Sequence, residues 1–377
     1  PLFGDAQHPK IDGPWNRLID ALLRTPRIRS MYLRRLRSLM DEQLQPPGTP
    51  LASRYFETRI DQLVAMMNAD VALDRAKWGN PYGQDQPFAT AIAILKSQYL
   101  DVRRSHLYLT HSQAGGTIPG PQLPLPAIEI ARIEAFPASG NQDEEFIELK
   151  NPNASAVDIS RWRVEGDVEH EIRPGTVLNP GESLYLSPNV RAFRARSVAP
   201  TGNSGLFVQG DVDGHMPRER QTIRLLRPDG TLADSYVTAE VKGSLVLGGY
   251  DPASPERSFT LELRNAQGDA IETRSITSGA VGSFSFATLY RGVCSLSVQG
   301  GTWLRRTLAG LNLSDSGLSG LQLSLTNGDC DGDNAVTVFD YALLSDAFDS
   351  VIGDANWNEN ADLDGDGSVT VFDYAVL

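Results

Sequence analysis

Basic residues are missing from the end of this chain: residues 307–377 hold thirteen acidic side chains and no Lys or Arg. That tail alone accounts for the formal net charge of −13, so everything before it sums to zero. Cysteine is scarce as well. Only Cys294 and Cys330 occur in 377 residues, too few for a disulfide framework. The two could pair, but they sit in different elements and read as free thiols. No run approaches the roughly 20 apolar residues of a membrane span. The five histidines are scattered and none falls in a His-Glu-x-x-His zinc pattern. There is no Gly-x-Ser-x-Gly elbow and no Gly-rich phosphate loop. These gaps exclude the common autonomous active sites, and no catalytic residue is assigned. The first residue is Pro1, no signal peptide follows, and the helical pattern is still running at Leu377. The chain therefore reads as a fragment of a longer protein.

What the acidic tail does contain is a repeated ligand pattern. Asp329, Asp331, Asp333, Ala335, Thr337 and Asp340 stand at positions 1, 3, 5, 7, 9 and 12 of one loop; Asp362, Asp364, Asp366, Ser368, Thr370 and Asp373 repeat them. Calcium takes six to eight oxygen ligands, and a wrapping loop supplies them at this spacing, position 7 through its main-chain carbonyl. Position 6 must turn with positive φ, and holds Asn334 and Gly367. Four carboxylates per loop repel one another without a divalent cation. Two Ca2+ sites are expected, as against a surface Asp/Gly turn without metal or a general acidic tail. A third string, Asp211-Val-Asp213-Gly214-His215, opens in the same way but has His at position 5 and Thr222 at position 12, so it reads as a turn.

Position 12 is Asp rather than Glu, no helix pattern enters either loop, and an apolar-faced helix leaves each one. Over residues 327–377 this tandem resembles a type I dockerin, a module that plugs into cohesin domains. The resemblance implies a cohesin-like protein partner facing positions 10 and 11, Val338, Phe339, Val371 and Phe372. The near-identity of the two copies implies a surface of two-fold symmetry, which a partner could meet in either orientation.

Residues 1–112 read as a helical block. Trp15, Leu18, Ile19, Leu22 and Leu23 form one apolar stripe, Met31, Leu33, Leu36, Leu39 and Met40 another, and helices are expected over Tyr55–Ala72 and Phe88–Leu109. The order Trp-x-x-Leu-Ile-x-x-Leu-Leu, Arg-x-x-Tyr-Leu-x-Arg-Leu, Ile-Asp-x-Leu, Asp-x-x-Arg-Trp and a terminal Arg-Arg helix resembles the C-terminal part of CotH-family kinase-like proteins. In that family the phosphate loop, its Lys and the metal-holding acids lie upstream, so ATP and Mg2+ would bind only there. Pro1-Leu-Phe-Gly4 looks like the stretch just after the metal-binding acids, and Gly83-Gln-Asp85 is too thin to replace them. The cluster Arg24, Arg27, Arg29, Arg34, Arg35 and Arg37 reads as a solvated helix face; no aromatics interleave for nucleic-acid stacking.

Residues 113–126 read as a Pro/Gly linker. Residues 127–238 turn to strands. Glu-Phe-Ile-Glu-Leu-Lys-Asn-Pro, Val-Asp-Ile-Ser-Arg-Trp, Leu-Asn-Pro-Gly-Glu and Leu-Leu-Arg-Pro-Asp-Gly resemble a lamin-tail domain, an immunoglobulin-like sandwich. Trp162 is then a core anchor, and Glu145 and Glu148 are structural edge residues rather than a paired-carboxylate site. Residues 239–326 alternate again and resemble a small carboxypeptidase-regulatory-like, prealbumin-type sandwich acting as a spacer.

The expected fold is multidomain α + β: helical block, immunoglobulin-like sandwich, second small sandwich and paired calcium loop-helix units. The expected function is calcium-dependent attachment by a secreted or surface bacterial protein whose parent carries a CotH-like kinase. Alternatives are a non-catalytic part of a cohesin-dockerin polysaccharide-degrading assembly, or a purely structural calcium-stabilised surface protein.

Overall fold

The computed structural model describes residues 17–79, 86–137, 139–201, 205–216 and 222–377. Trp15, the Pro1–Gly4 stretch, Gly83-Gln-Asp85 and Gln221 lie outside them. The architecture mixes helices with several β-sheets, and among the described residues no helix is long and apolar enough to cross a membrane.

Helices α1 (Arg17–Arg24) and α2 (Pro26–Leu39) open the chain. Pro26 suits the first turn of α2, where a missing N–H costs nothing. Helix α2 runs on through a π-helical turn, Met40–Leu44. Helix α3 spans Tyr55–Trp78, so Asp74–Trp78 continues the helix expected to stop at Ala72. Helices α4 (Phe88–Ile94) and α5 (Asp101–Ser105) alternate with π-helical segments Leu95–Leu100 and His106–His111.

The apolar stripes fare differently. Met40 and Leu44 join Leu100, Leu107, Tyr108 and Ile118 in a small core, with Leu33 and Leu36 packed against it. The α1 stripe does not: Leu18, Ile19, Leu22 and Leu23 are all exposed, because no described element covers that helix. The solvated-face reading of the arginine cluster is also corrected. Arg24 and Arg29 face solvent, but Arg34 and Arg37 are buried. Their guanidinium groups donate to the carbonyls of Gly120 (2.9 Å) and Pro119 (3.0 Å). Arg35 pairs with Asp158 at 3.0 Å and Arg27 pairs with Glu182, both on the following sandwich.

The linker reading of 113–126 is corrected by the same contacts. Ile118 is buried, and the Gln122 amide clasps the main chain of Asp158, accepting at 2.7 Å and donating at 3.1 Å. Proline-rich backbone that cannot pair as a strand has its carbonyls satisfied by arginines instead.

The first sandwich has one sheet in the order Glu129–Glu134, Phe146–Lys150, Ser183–Leu186, Phe207–Gln209, and another in the order Leu232–Val237, Thr222–Leu226, Arg163–Glu165, His170–Glu171. A short helix α6, Val190–Ala195, is capped by Asn189. Trp162 is buried in the core with Ile147, Leu149, Leu184 and Ile223, and the Arg227 guanidinium lies over its ring. Glu145 is not an edge residue. It is fully buried before the second strand of its sheet and accepts the Met216 N–H at 2.8 Å, with His215 Nδ1 at 3.4 Å. The Asp211–His215 string, expected as a turn, bends at Gly214 with positive φ at Asp211 and Gly214, and Asp213 forms an isolated antiparallel bridge with Glu169.

The second sandwich faces the three-stranded sheet Val281–Thr288, Ala239–Leu247, Leu318–Leu325 against the four-stranded sheet Ala270–Ser278, Arg257–Asn265, Gly292–Gly300, Trp303–Leu313. Alternating side chains of Arg257–Asn265, Phe259, Leu261 and Leu263, point into the shared core beside Leu296, Val298 and Trp303, the period-2 signature of a half-buried strand. Both cysteines are buried and unpaired.

Candidate metal centre and exposed helix starts

The two repeats each build a loop and then a helix, α7 (Val338–Asp346) and α8 (Val371–Val376). Short local hydrogen bonds shape both loops in the same way. In the first, Asp329 Oδ2 accepts the Asn334 N–H (3.0 Å), Asp331 Oδ1 that of Asp333 (3.1 Å) and Asp333 Oδ1 that of Ala335 (2.8 Å). In the second, Asp362 Oδ2 accepts from Gly367 (3.1 Å), Asp364 Oδ1 from Asp366 (3.1 Å) and Asp366 Oδ1 from Ser368 (2.8 Å). Asn334 and Gly367 have positive φ, at 69° and 89°, as position 6 requires.

Position 12 closes each loop. Asp340 accepts the N–H groups of Asp331 (3.2 Å) and Thr337 (2.6 Å); Asp373 accepts those of Leu363 (2.7 Å), Asp364 (3.2 Å) and Thr370 (2.7 Å). Both aspartates are fully buried. The two threonines serve as N-caps, their hydroxyls accepting from Phe339 and Phe372 at 3.1 Å, and complete a capping box with the position-12 carboxylate. The thread that ties each loop is the same carboxylate that starts its helix.

Within this mesh the carboxylates of each loop crowd together. Oxygens of Asp329, Asp331 and Asp333 lie within 4.8 Å of each other, as do those of Asp362, Asp364 and Asp373. Asp340 and Asp366 fall outside these tight triplets, and Ala335 and Ser368 enter the loops through the main chain. Asp329 Oδ1 is buried with no hydrogen-bond partner, a costly state for a charged acceptor. An all-oxygen, multi-carboxylate set of this kind fits a hard divalent cation.

Electrostatics agree. Burial, reinforced by Asp373 and Asp364, pushes the Asp362 carboxyl up to about 6. Burial also raises Asp364 and Asp329, each with acidic neighbours. At Asp340 burial pulls the same way, but N–H donors from Thr337, Asp331 and Cys330 outweigh it and hold the carboxyl below its ordinary value.

Beside this acidic interior, Val338, Phe339, Val371 and Phe372 are each at least 62% exposed. Tyr341, which the sequence reading missed, is exposed near them. Its signal was available: it is the residue after position 12, and its repeat partner is Tyr374. The two tyrosine rings meet edge to face with centroids 5.5 Å apart, so equivalent positions of the two repeats touch. Behind them Leu344, Ala347, Ala361, Leu363 and Val369 form the module's core with Cys330.

Two family models match parts of the chain: a Lamin Tail Domain over residues 122–240 and a Dockerin type I domain over residues 327–377. Neither reaches into residues 1–112, so the kinase-like reading of that block gains no support from them. A search of curated proteins finds no match. Among solved structures, an N-terminal interface mutant of a type II cohesin–X–dockerin complex from Acetivibrio cellulolyticus is 18% identical, with 36% of this chain and 92% of that chain covered and a TM-score of 0.29. A C-terminal interface mutant of that complex gives 17%, the same coverages and 0.28. A bacterial adhesin from Mobiluncus mulieris is 8% identical, with 53% and 98% covered and a TM-score of 0.17. Scores this low establish no common fold.

Proposed function

We propose that this chain attaches its protein to a partner through a calcium-ordered C-terminal module. Asp329, Asp331, Asp333 and Asp340 would hold one Ca2+ with the Ala335 carbonyl and Thr337, and Asp362, Asp364, Asp366 and Asp373 a second with the Ser368 carbonyl and Thr370. A bound Ca2+ would supply charge neutralisation to the carboxylates of each loop. The chain's own residues do the rest, with the capping boxes fixing where α7 and α8 begin and thereby aiming Val338, Phe339, Val371 and Phe372 outward.

The observation that carries this reading is the pairing of a converged carboxylate interior with an exposed apolar quartet. Four large side chains at helix starts gain nothing for stability by facing water. The dockerin match supports a cohesin-type partner, and sites of this family working at extracellular calcium levels suit a secreted or surface location. The cargo, kinase-like or part of a polysaccharide-degrading assembly, does not alter the attachment step.

Val338→Asp combined with Val371→Asp tests it. Immobilised chain in millimolar calcium is expected to lose capture of cohesin-type partners by a hundredfold or more, as for truncated central contacts worth at least 2 kcal/mol, while calorimetry still records calcium uptake. Unchanged capture with calcium bound places the interface elsewhere.

A further inference from the structure

We infer that the second calcium site is built by two domains: the turn over residues 248–257 of the second sandwich forms its outer wall, with Asp251 and Ser254 as positioning residues. This rests on the calcium reading above and extends it, since that reading confines each site to its own repeat.

The contacts fall on the peptide units that shape the loop. Asp251 N–H and Ser254 Oγ both donate to the Asp364 carbonyl, at 2.9 and 3.1 Å. The buried Asn327 amide donates to the Leu363 carbonyl at 2.7 Å. Leu363 and Asp364 are also the residues whose N–H groups point inward to Asp373. Each of these residues is thus gripped on both faces, its N–H by a ligand carboxylate and its C=O from outside the loop, Asp364 by the sandwich turn and Leu363 by Asn327 at the start of the module. Hydrogen bonds polarise one another across a single peptide unit: the bond to the Leu363 carbonyl strengthens the Asp364 N–H that donates to Asp373, and the bonds to the Asp364 carbonyl strengthen the Gly365 N–H, which donates to Asp362 at 2.9 Å.

Packing closes the joint. A Cβ added at Gly365 would lie 2.3 Å from the Tyr250 ring, and one at Gly249 would lie 2.5 Å from Val376. Arg257 bridges the Tyr250 hydroxyl, at 3.0 Å, and the Glu359 carboxylate. Loop 1 is treated differently. The sandwich holds its entry, where the Thr302 carbonyl accepts from Gly328 (3.0 Å) and Asp329 (2.8 Å), and one side chain, Asn334, which accepts the Arg305 N–H at 2.6 Å. Two loops of nearly equal sequence therefore have unequal supports, and calcium in the second and order in the 248–257 turn must reinforce each other to the same extent.

Hydrogen exchange on the full chain, in excess calcium and after chelation, reads this directly. Chelation is expected to speed exchange of the Asp251 and Ser254 amides about tenfold or more while Leu261 and Leu263 in the adjacent strand stay protected. Calcium calorimetry on Ser254→Ala is expected to show the second site weakened by roughly three- to tenfold, the net worth of one hydrogen bond, with the first unchanged. If chelation frees residues 329–340 and 362–373 but leaves 248–257 as slow as before, and Ser254→Ala binds like the parent, the site ends at its repeat and the inference is wrong. If no amide anywhere responds to calcium, the calcium reading fails and this inference falls with it.

Discussion

Chelating calcium from the intact chain at pH 7 is expected to melt helices α7 and α8 while both sandwiches stay folded. The module's core is a handful of side chains around Leu344 and Leu363, too small to stand without a staple. Its carboxylate oxygens are packed within 4.8 Å of one another, where each like-charge pair costs about 1–4 kcal/mol at partly solvated dielectric. A hundredfold excess of calcium over Kd returns about 2.7 kcal/mol per site, so scanning calorimetry should show the module's transition fall by roughly 10 °C or more on chelation. A transition indifferent to chelator would sink the calcium reading.

The same titration has a pH sign. Asp362 in the metal-free fold is raised to about 6, so between about pH 4 and 6 the folded module holds a proton that the unfolded chain has released. Metal-free stability is therefore higher below this window and is lost as pH rises through it; calcium binding at pH 5 must expel that proton. Affinity at the second site is expected to be roughly tenfold weaker at pH 5 than at pH 7. Equal affinities at the two pH values, measured by calorimetry, would contradict the buried placement of Asp362.

Arg104→Ala is expected to unfold the helical block, lowering its stability by about 3–5 kcal/mol. Arg104 is 1% exposed, and it reaches Glu57 at 2.6 Å, Asp101 at 2.7 Å and the carbonyls of Leu44 and Gln45 at 3.0 Å. Deleting it leaves the buried Glu57 charge, among the described residues, with Arg54 alone, 3.3 Å away, and two carbonyls without their donor. Replacing Arg104 and Glu57 together by Met and Leu should cost much less, since an apolar pair of similar volume removes both charges. Urea denaturation followed by helical circular dichroism separates the two; a loss under 1 kcal/mol for the single variant would show that the pair is not holding the helices together.

Legibility in this chain followed the range of the interactions. The outline of the two acidic loops was legible because the aspartates and the loop N–H groups they accept lie within twelve positions of one sequence, whereas the turn that holds the Asp364 carbonyl, 110 residues away at Ser254, left no local signal. The strand Arg257–Asn265 was readable because alternation is a local record of a two-faced sheet. The arginines of α2 were misread because their partners are remote: Arg27 meets Glu182 and Arg35 meets Asp158, 155 and 123 residues away. An amphipathic pattern shows that a face is polar, not whether water or another domain satisfies it. Glu145 was misread for the same reason, as its acceptor role is defined by Met216, 71 residues on. The π-helical turns, which re-aim side chains by one position per insertion, leave no mark in apolar periodicity.

The arginine-clasped segment after the helical block has one mechanical consequence. Fourteen free Pro/Gly-rich residues would act as a tether whose ends wander by roughly 20 Å, and cargo on a tether samples a cloud of positions at a diluted local concentration. Here Arg34 and Arg37 pin the segment's carbonyls and Gln122 latches it to Asp158. The helices and the first sandwich thus behave as a bracket rather than a leash, and whatever they carry is presented at one bearing.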